Sequence, residues 1–286
     1  MTAPAQDAAA PAATAPRPAG PRSRRAAAPW LPPVALLVGL VALWELVVVL
    51  ADIPDYVLPA PSEVAAALVR NADVLAGHTV STLTTAVVGL VAGASVGVGL
   101  AFAMAASTSL RAALYPLVVV SQSIPMVVLA PLFVVWFGFG LLPRLLVVAL
   151  VSFFPVAVAT VGALTSADRD QVDLVRAMGG SRRDVMRHVL LPGAVPGLFT
   201  GLKVAASYAM FAAVVGEWIG ASSGLGLYLE RSRASFATDQ MFAAVVVIAA
   251  VSVLLVGLVF AAERLAAPWR VAERARDHAA ASRAPW

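Results

Sequence analysis

Six uninterrupted apolar blocks, at residues 33–51, 80–106, 113–138, 144–165, 194–219 and 240–262, constrain this chain more than any other feature. A helix rises about 1.5 Å per residue, so a hydrocarbon layer of about 30 Å takes roughly 20 residues to cross. The first block just reaches that length and the other five exceed it. Backbone N–H and C=O groups find no water in lipid, so only helices or closed barrels can span it. The blocks are continuously apolar and do not alternate, which excludes barrel strands. The expected fold is an all-α membrane protein with six transmembrane helices. Charged residues make up only 13% of the chain, against about 25% in soluble domains.

The flanking segments set the domain plan. Residues 1–29 are rich in Ala and Pro and carry Arg17, Arg22, Arg24 and Arg25. With so few large apolar side chains they read as a disordered tail, followed by a membrane domain over 30–270 and a short tail over 271–286. Ser23-Arg24-Arg25 resembles a twin-arginine export signal, but the apolar blocks that follow favour a retained first span. With the N-terminus inside, fifteen arginines fall on inner segments, and only Arg70, Arg144, Arg231 and Arg233 on outer ones. Excess arginine marks the cytoplasmic side, so both termini are expected there. The net charge of +4 is thus a topology signal and does not point to nucleic acid. In the long outer segment 52–79, Ser62 is expected to cap a short helix running through Leu75, with Glu63 in its first turn. That helix either lies on the membrane surface or takes part in binding.

Several chemistries are excluded. There is no cysteine, and His78, His188 and His278 are far apart, so no metal site or cofactor is expected. A phosphate-cradling loop needs G-x-x-x-x-G-K-[ST], yet the single lysine is Lys203, inside the fifth block. The glycine-rich stretch Gly220–Gly226 lacks that lysine and reads as a tight outer turn leading to the segment Leu227–Asp239. No catalytic constellation is assembled, so the chain is not expected to be an enzyme.

The informative segment is the inner loop 166–193. Leu174, Val175 and Met178 form an apolar stripe at helical spacing, and Gly179-Gly180 break the helix. Ser181 and Asp184 have capping-box spacing. Val185, Met186, Val189 and Leu190 form a second stripe, which Pro192 is expected to close. The result is a helix–turn–helix with a basic outer face. Two plainer explanations stand beside a docking role: the arginines enforce orientation, and the stripes rest on the bundle's own floor. A segment tethered between two spans is poorly placed for a DNA groove.

Gly179, nine intervening residues, Val189, one further residue and Leu191-Pro192 resemble the cytoplasmic "EAA" loop of binding-protein-dependent ABC importer permeases. Asp173 stands where that family usually has Glu, and Val175 where it often has Ala. The resemblance extends from Trp30 to Arg270. It implies a type I importer bundle in a bacterial inner membrane. Its loop, through Asp173, Leu174, Val175, Met178, Gly179, Gly180, Val189, Leu191 and Pro192, would insert a coupling helix into a separate cytoplasmic ATP-binding subunit. It also implies an extracytoplasmic substrate-binding protein and a second permease copy or homologue. Within the family, Ser121–Gly140, Gly216–Leu227 and Phe236–Ala244 are most similar to the nitrate/sulfonate/taurine subfamily. Gly216–Ala221 with Phe236–Asp239 resembles its branch for thiamine-precursor pyrimidines. A rival class, the ion-coupled secondary transporter, would call for facing intramembrane carboxylates and internal repeats, and neither is evident.

Polar groups inside spans are costly, about 2.5–3.5 kcal/mol for a central charge on insertion scales. Gln122, Ser123 and Met126 of the third block, with Ser207 and Tyr208 of the fifth, are candidates to line a translocation path; ordinary interhelical hydrogen bonding is the alternative. Pro125 and Pro131 make that third helix internal. Glu217, beside Trp218, is either an interfacial anchor or a path residue. Glu45 reads as structural, and Lys203 as snorkelling or acid-paired. Gly93 and Gly97 fit close helix packing.

Overall fold

The computed structural model describes residues 31–268, so the expected tails lie outside the described residues. The described chain is helical: α1 (Leu31–Leu50), α2 (Pro61–Arg70), α3 (Ala72–Ala106), α4 (Thr108–Ser121), α5 (Met126–Phe137), α6 (Leu141–Thr165), α7 (Arg169–Ala177), α8 (Arg182–Val185), α9 (Leu191–Glu217), α10 (Leu225–Ala234) and α11 (Thr238–Ala266). One π-helical turn, Met186–Leu190, joins α8 to α9. Five helices are long and apolar enough to cross a membrane: α1, α3, α6, α11 and the rod from Arg182 to Glu217. The observed spans extend several of the expected blocks by two to eight residues, because the backbone ladder continues past the apolar run.

The third block departs from expectation. It is not one helix but two, α4 and α5, bent by 97°. Pro125 disfavours helical geometry at Ile124 and supplies no N–H, so the ladder stops at Ser121 and restarts at Met126. Pro131, inside α5, leaves that helix continuous. The bundle therefore has six membrane elements only if this bent pair counts as one.

Close packing of small residues holds the centre. α6 is clasped between α3 and α9. A Cβ on Gly93 would collide with the Ala149 carbonyl of α6, and one on Gly97 with that of Phe153. On the other side, Gly197 and Gly201 of α9 approach α6 at Ala159 and Pro155 in the same way. Lipid tails are as apolar as leucine, so burial alone cannot drive helices together in a membrane; close backbone approach and dispersion do. Ala205, Ala206, Ala209, Met210, Ala212 and Ala213 of α9 are buried in the resulting core. The central rod is 56% buried over its most apolar stretch and α1 only 6%, which makes α1 peripheral. Lys203 of α9 pairs with Glu263 of α11 and lies 4.3 Å from the Phe260 ring centroid, satisfying a cation at membrane depth.

The end opposite the 166–193 loop is closed by a cap. α2 ends at Arg70, short of the expected Leu75, because Asn71 turns its side-chain amide to the Ala67 carbonyl at 2.9 Å. Ala60, not Ser62, precedes the helix; Glu63 accepts the Ala60 N–H at 3.0 Å. Ser62 instead donates its N–H and hydroxyl to Glu45 of α1 at 3.0 and 2.7 Å, so Glu45 tethers α2 to the peripheral span. α2 is packed onto the bundle: Val64 and Ala67 are buried with Leu225, Tyr228, Ala243 and Ala244. Arg70 pairs with Asp239 at 2.9 Å.

The cap's second half hangs on the N-terminus of α10. The first N–H groups of a helix have no partner within it. Here three side chains from the spans take them: His78 Nδ1 accepts from Gly224 at 2.9 Å, Thr82 Oγ1 from Leu225 at 2.7 Å, and Glu217 Oε2 from Gly226 at 2.8 Å. Thr82 also donates to Glu217 at 3.0 Å. Gly224, at φ +130°, leaves no room for a Cβ against that carboxylate. Arg144, buried at the start of α6, donates to the Ser223 carbonyl at 3.2 Å.

Two outcomes follow from this packing. Gly93→Val should destabilise the α3–α6 contact by about 1–3 kcal/mol, the usual cost of overpacking. Gly99→Val, in open space, should not; equal melting temperatures of the two variants in detergent would refute the account. Glu217→Ala strands a buried N–H and should cost about 1–3 kcal/mol, whereas Glu217→Gln keeps an acceptor and loses less. Limited proteolysis within 220–237 measures this directly, and identical cleavage of all three proteins would count against it.

Candidate functional site

The 166–193 loop forms an elbow outside the apolar bundle. Asp168 starts α7 by accepting the Asp170 N–H at 3.0 Å, and an acidic first turn suits the positive end of the helix dipole. α7 ends where Gly179 takes φ +80° and Gly180 donates to the Val175 carbonyl at 2.9 Å. A Cβ on Gly180 would collide with Val175. The two glycines thus serve different ends: Gly179 permits the left-handed turn, and Gly180 permits close approach. Ser181 and Asp184 then form the expected box, with Ser181 N–H to Asp184 at 2.8 Å and Asp184 N–H to Ser181 Oγ at 3.3 Å.

The two stripes have opposite fates. Val185 and Val189 are buried, and Leu190 packs on the cluster of Ala101, Met104, Val161, Leu164 and Ala194. That second stripe rests on the bundle's own floor. The first does not: α7 buries none of its residues, Leu174 is 61% exposed and Met178 79%. Val175 is half-buried under Gly180, and Asp173 is exposed, 3.7 Å from Arg176.

Pro192 does not close the second helix. α8, the π turn and α9 form one continuous 36-residue rod from Arg182 to Glu217. A proline ring clashes with the carbonyl four residues back and has no N–H to give. The wider π turn, closed by Leu191 N–H to the Met186 carbonyl, accommodates it. Leu191 and Pro192 are exposed at this junction.

The path candidates divide. Gln122, Met126 and Tyr208 line one open groove of about 410 Å³, bounded by α6 at Phe154 and by Phe211 of α9. The 97° break is what turns Gln122 and Met126 toward it. Ser123 and Ser207 are exposed but not part of its lining, and the Ser207 hydroxyl is bonded to the Lys203 carbonyl at 2.9 Å. Glu217 is neither an interfacial anchor nor beside this groove. It is fully buried and faces α3 and the 224–226 turn, because the Gly226 N–H and the Thr82 hydroxyl need an acceptor in that dry site. His78 and Thr82, its partners in the cap, were not singled out by sequence; their i, i+4 spacing in an apolar helix was the available signal.

Residues 75–270 match the family described as the binding-protein-dependent transport system inner membrane component. The chain is 32% identical over 244 residues to the formylaminopyrimidine transport permease protein of Halalkalibacterium halodurans, covering 84% of this chain and 96% of that one. It is 34% identical over 239 residues to the riboflavin transport system permease protein of Chloroflexus aurantiacus, covering 83% and 89%. Among solved structures, an inward-facing methionine ABC transporter aligns with a TM-score of 0.58 at 21% identity, over 67% of this chain and 95% of that one, a likeness of fold. Apolar spans, a glycine-hinged elbow and a family match through both place this chain among the inner-membrane permease components of binding-protein-dependent transport systems.

Proposed function

We propose that α7 and its glycine hinge are where this permease subunit receives force from its separate ATP-binding subunit. The observation that carries the reading is the contrast between the stripes: one buried on the bundle, the other presenting Leu174 and Met178 mostly exposed among the described residues. An amphipathic helix offering apolar anchors is suited to a groove in a partner. Asp173, Val175, Gly179 and Gly180 hold its shape, while Val189, Leu191 and Pro192 join it to the span. Because the rod runs unbroken to Glu217, a push on the elbow moves the whole fifth span and, through Glu217, the α10 cap.

The arginine asymmetry supports a cytoplasmic elbow and cytoplasmic termini. The α2–α10 cap then faces the substrate-binding protein. The groove at Gln122, Met126 and Tyr208 is open along one side, which supports a path completed by a second permease copy or a homologue. Its lining is mainly aromatic and aliphatic, with the Gln122 amide and Ser121, and no Lys, Arg or His contributes. A sulfonate, nitrate or taurine-like anion would call for a cation there. A planar pyrimidine of the thiamine-precursor type suits Tyr208, Phe211 and Gln122 better, and it is also the cargo in the name of one relative.

Met178→Asp should lower ATP-driven uptake by reconstituted vesicles roughly tenfold, the factor about 1.4 kcal/mol of lost docking produces. Gly179→Val, strained by about 1–2 kcal/mol or more, should do likewise, both with normal membrane insertion. As the chain has no cysteine, Arg176→Cys reports sidedness; labelling from outside, or undiminished uptake in both variants, would defeat the proposal. For the cargo, a labelled aminopyrimidine should accumulate in preference to taurine when the cognate binding protein is supplied. The reverse preference would return the anion.

A further inference from the structure

The elbow end of the bundle holds a second cavity that the transport reading does not use. It is an open groove of about 430 Å³ between the start of α4 and the end of α6. Thr108, Arg111 and Tyr115 line one wall; Val158, Val161 and Gly162 line the other.

Arg111 is half-buried there. Among the described residues no carboxylate pairs with it, and its guanidinium makes no hydrogen bond. The hydroxyls of Thr108 and Tyr115 likewise have no partner among the described residues. Thr165, at the same mouth, is different: its hydroxyl is spent on the Val161 carbonyl at 2.9 Å. Three unused polar groups, one of them a permanent cation, therefore line one groove. Lys203, inside the fifth span, by contrast has its acid. A guanidinium beside lipid without a counter-charge is costly, and its planar fork of donors matches phosphate oxygens.

The groove is also graded along its length. α4 and α6 are antiparallel, so Thr108 and Thr165 share the mouth, while Pro116 and Val158 lie deeper. Thr108 to Pro116 is eight residues, about 12 Å along the axis. Thr108 and Arg111 toward one end, with an aliphatic wall at Val158 and Val161 beyond them, match a headgroup followed by an acyl chain. A soluble anion would have no use for that wall.

We propose that this groove binds an anionic phospholipid, with its phosphodiester on Arg111 and Thr108 and an acyl chain passing Tyr115 along Val158 and Val161. The site does not depend on the coupling or cargo proposals, only on the chain's lying in a membrane.

The test uses the complete transporter in nanodiscs of equal phosphatidylglycerol and phosphatidylethanolamine, released gently and weighed by native mass spectrometry. Wild-type complex should retain phosphatidylglycerol over phosphatidylethanolamine about five-fold, the effect of one basic side chain on an anionic lipid. Arg111→Gln should bring that ratio close to one. Val158→Trp, which fills the apolar half and leaves the arginine, should also lose the lipid, so the result does not rest on one variant's folding. Equal retention of both lipids by wild type would overturn the proposal, as would an unchanged ratio in both variants. Displacement by millimolar inorganic phosphate would overturn it too, by making the ligand a soluble anion.

Discussion

Inside lipid a helix satisfies its own backbone, so nothing in its hydrogen bonding tells it which neighbour to choose. In this bundle the choice is made by closeness. Glycines of α3 and α9 let both helices bring their backbones against α6 from opposite sides, and the alanine-rich face of α9 fills the space between. Everything else is hung on that central trio. α11 is tied on by Lys203 and Glu263, α1 by the Glu45–Ser62 bonds through α2, and the cap by His78, Thr82 and Glu217.

Prolines show how context decides the effect of one residue type. Pro125 splits a span, because the residues before it leave the helical region and no wider turn absorbs the missing donor. Pro192 splits nothing, because a π turn precedes it and the ladder closes one residue further back. The first break shapes an open groove beside α9, and the second keeps the elbow rigidly continuous with the fifth span. The rod is continuous from Arg182 to Glu217, so the second half of the elbow and the opposite end of the bundle lie on one helix.

The elbow was largely legible in the residue pattern. Gly179-Gly180 after an amphipathic stretch, and a capping box just beyond, are local signals that depend on backbone conformations only glycine and short polar side chains favour. The role of Glu217 was not legible. Beside Trp218 at the end of an apolar run it has the pattern of an interfacial pair, and only the fold of the 220–226 turn brings the α10 N-terminus onto its carboxylate. Arg144 was hidden in the same way: counted as a topology charge, it is buried and braces that turn. The Arg111 groove needed two helices placed side by side before its unpaired groups could be seen together.

The linear sequence by itself determined the solvent, the apolar blocks, and the hinge before the fifth of them. These rest on hydrophobic length and on backbone preferences, both properties of neighbours along the chain. Which stripe of the elbow is buried, which proline bends its helix, and which intramembrane polar groups face each other were decided only by tertiary structure. In a helix that is apolar all round, periodicity carries no record of which face meets lipid and which meets protein. That distinction is made by contacts between residues far apart in the chain.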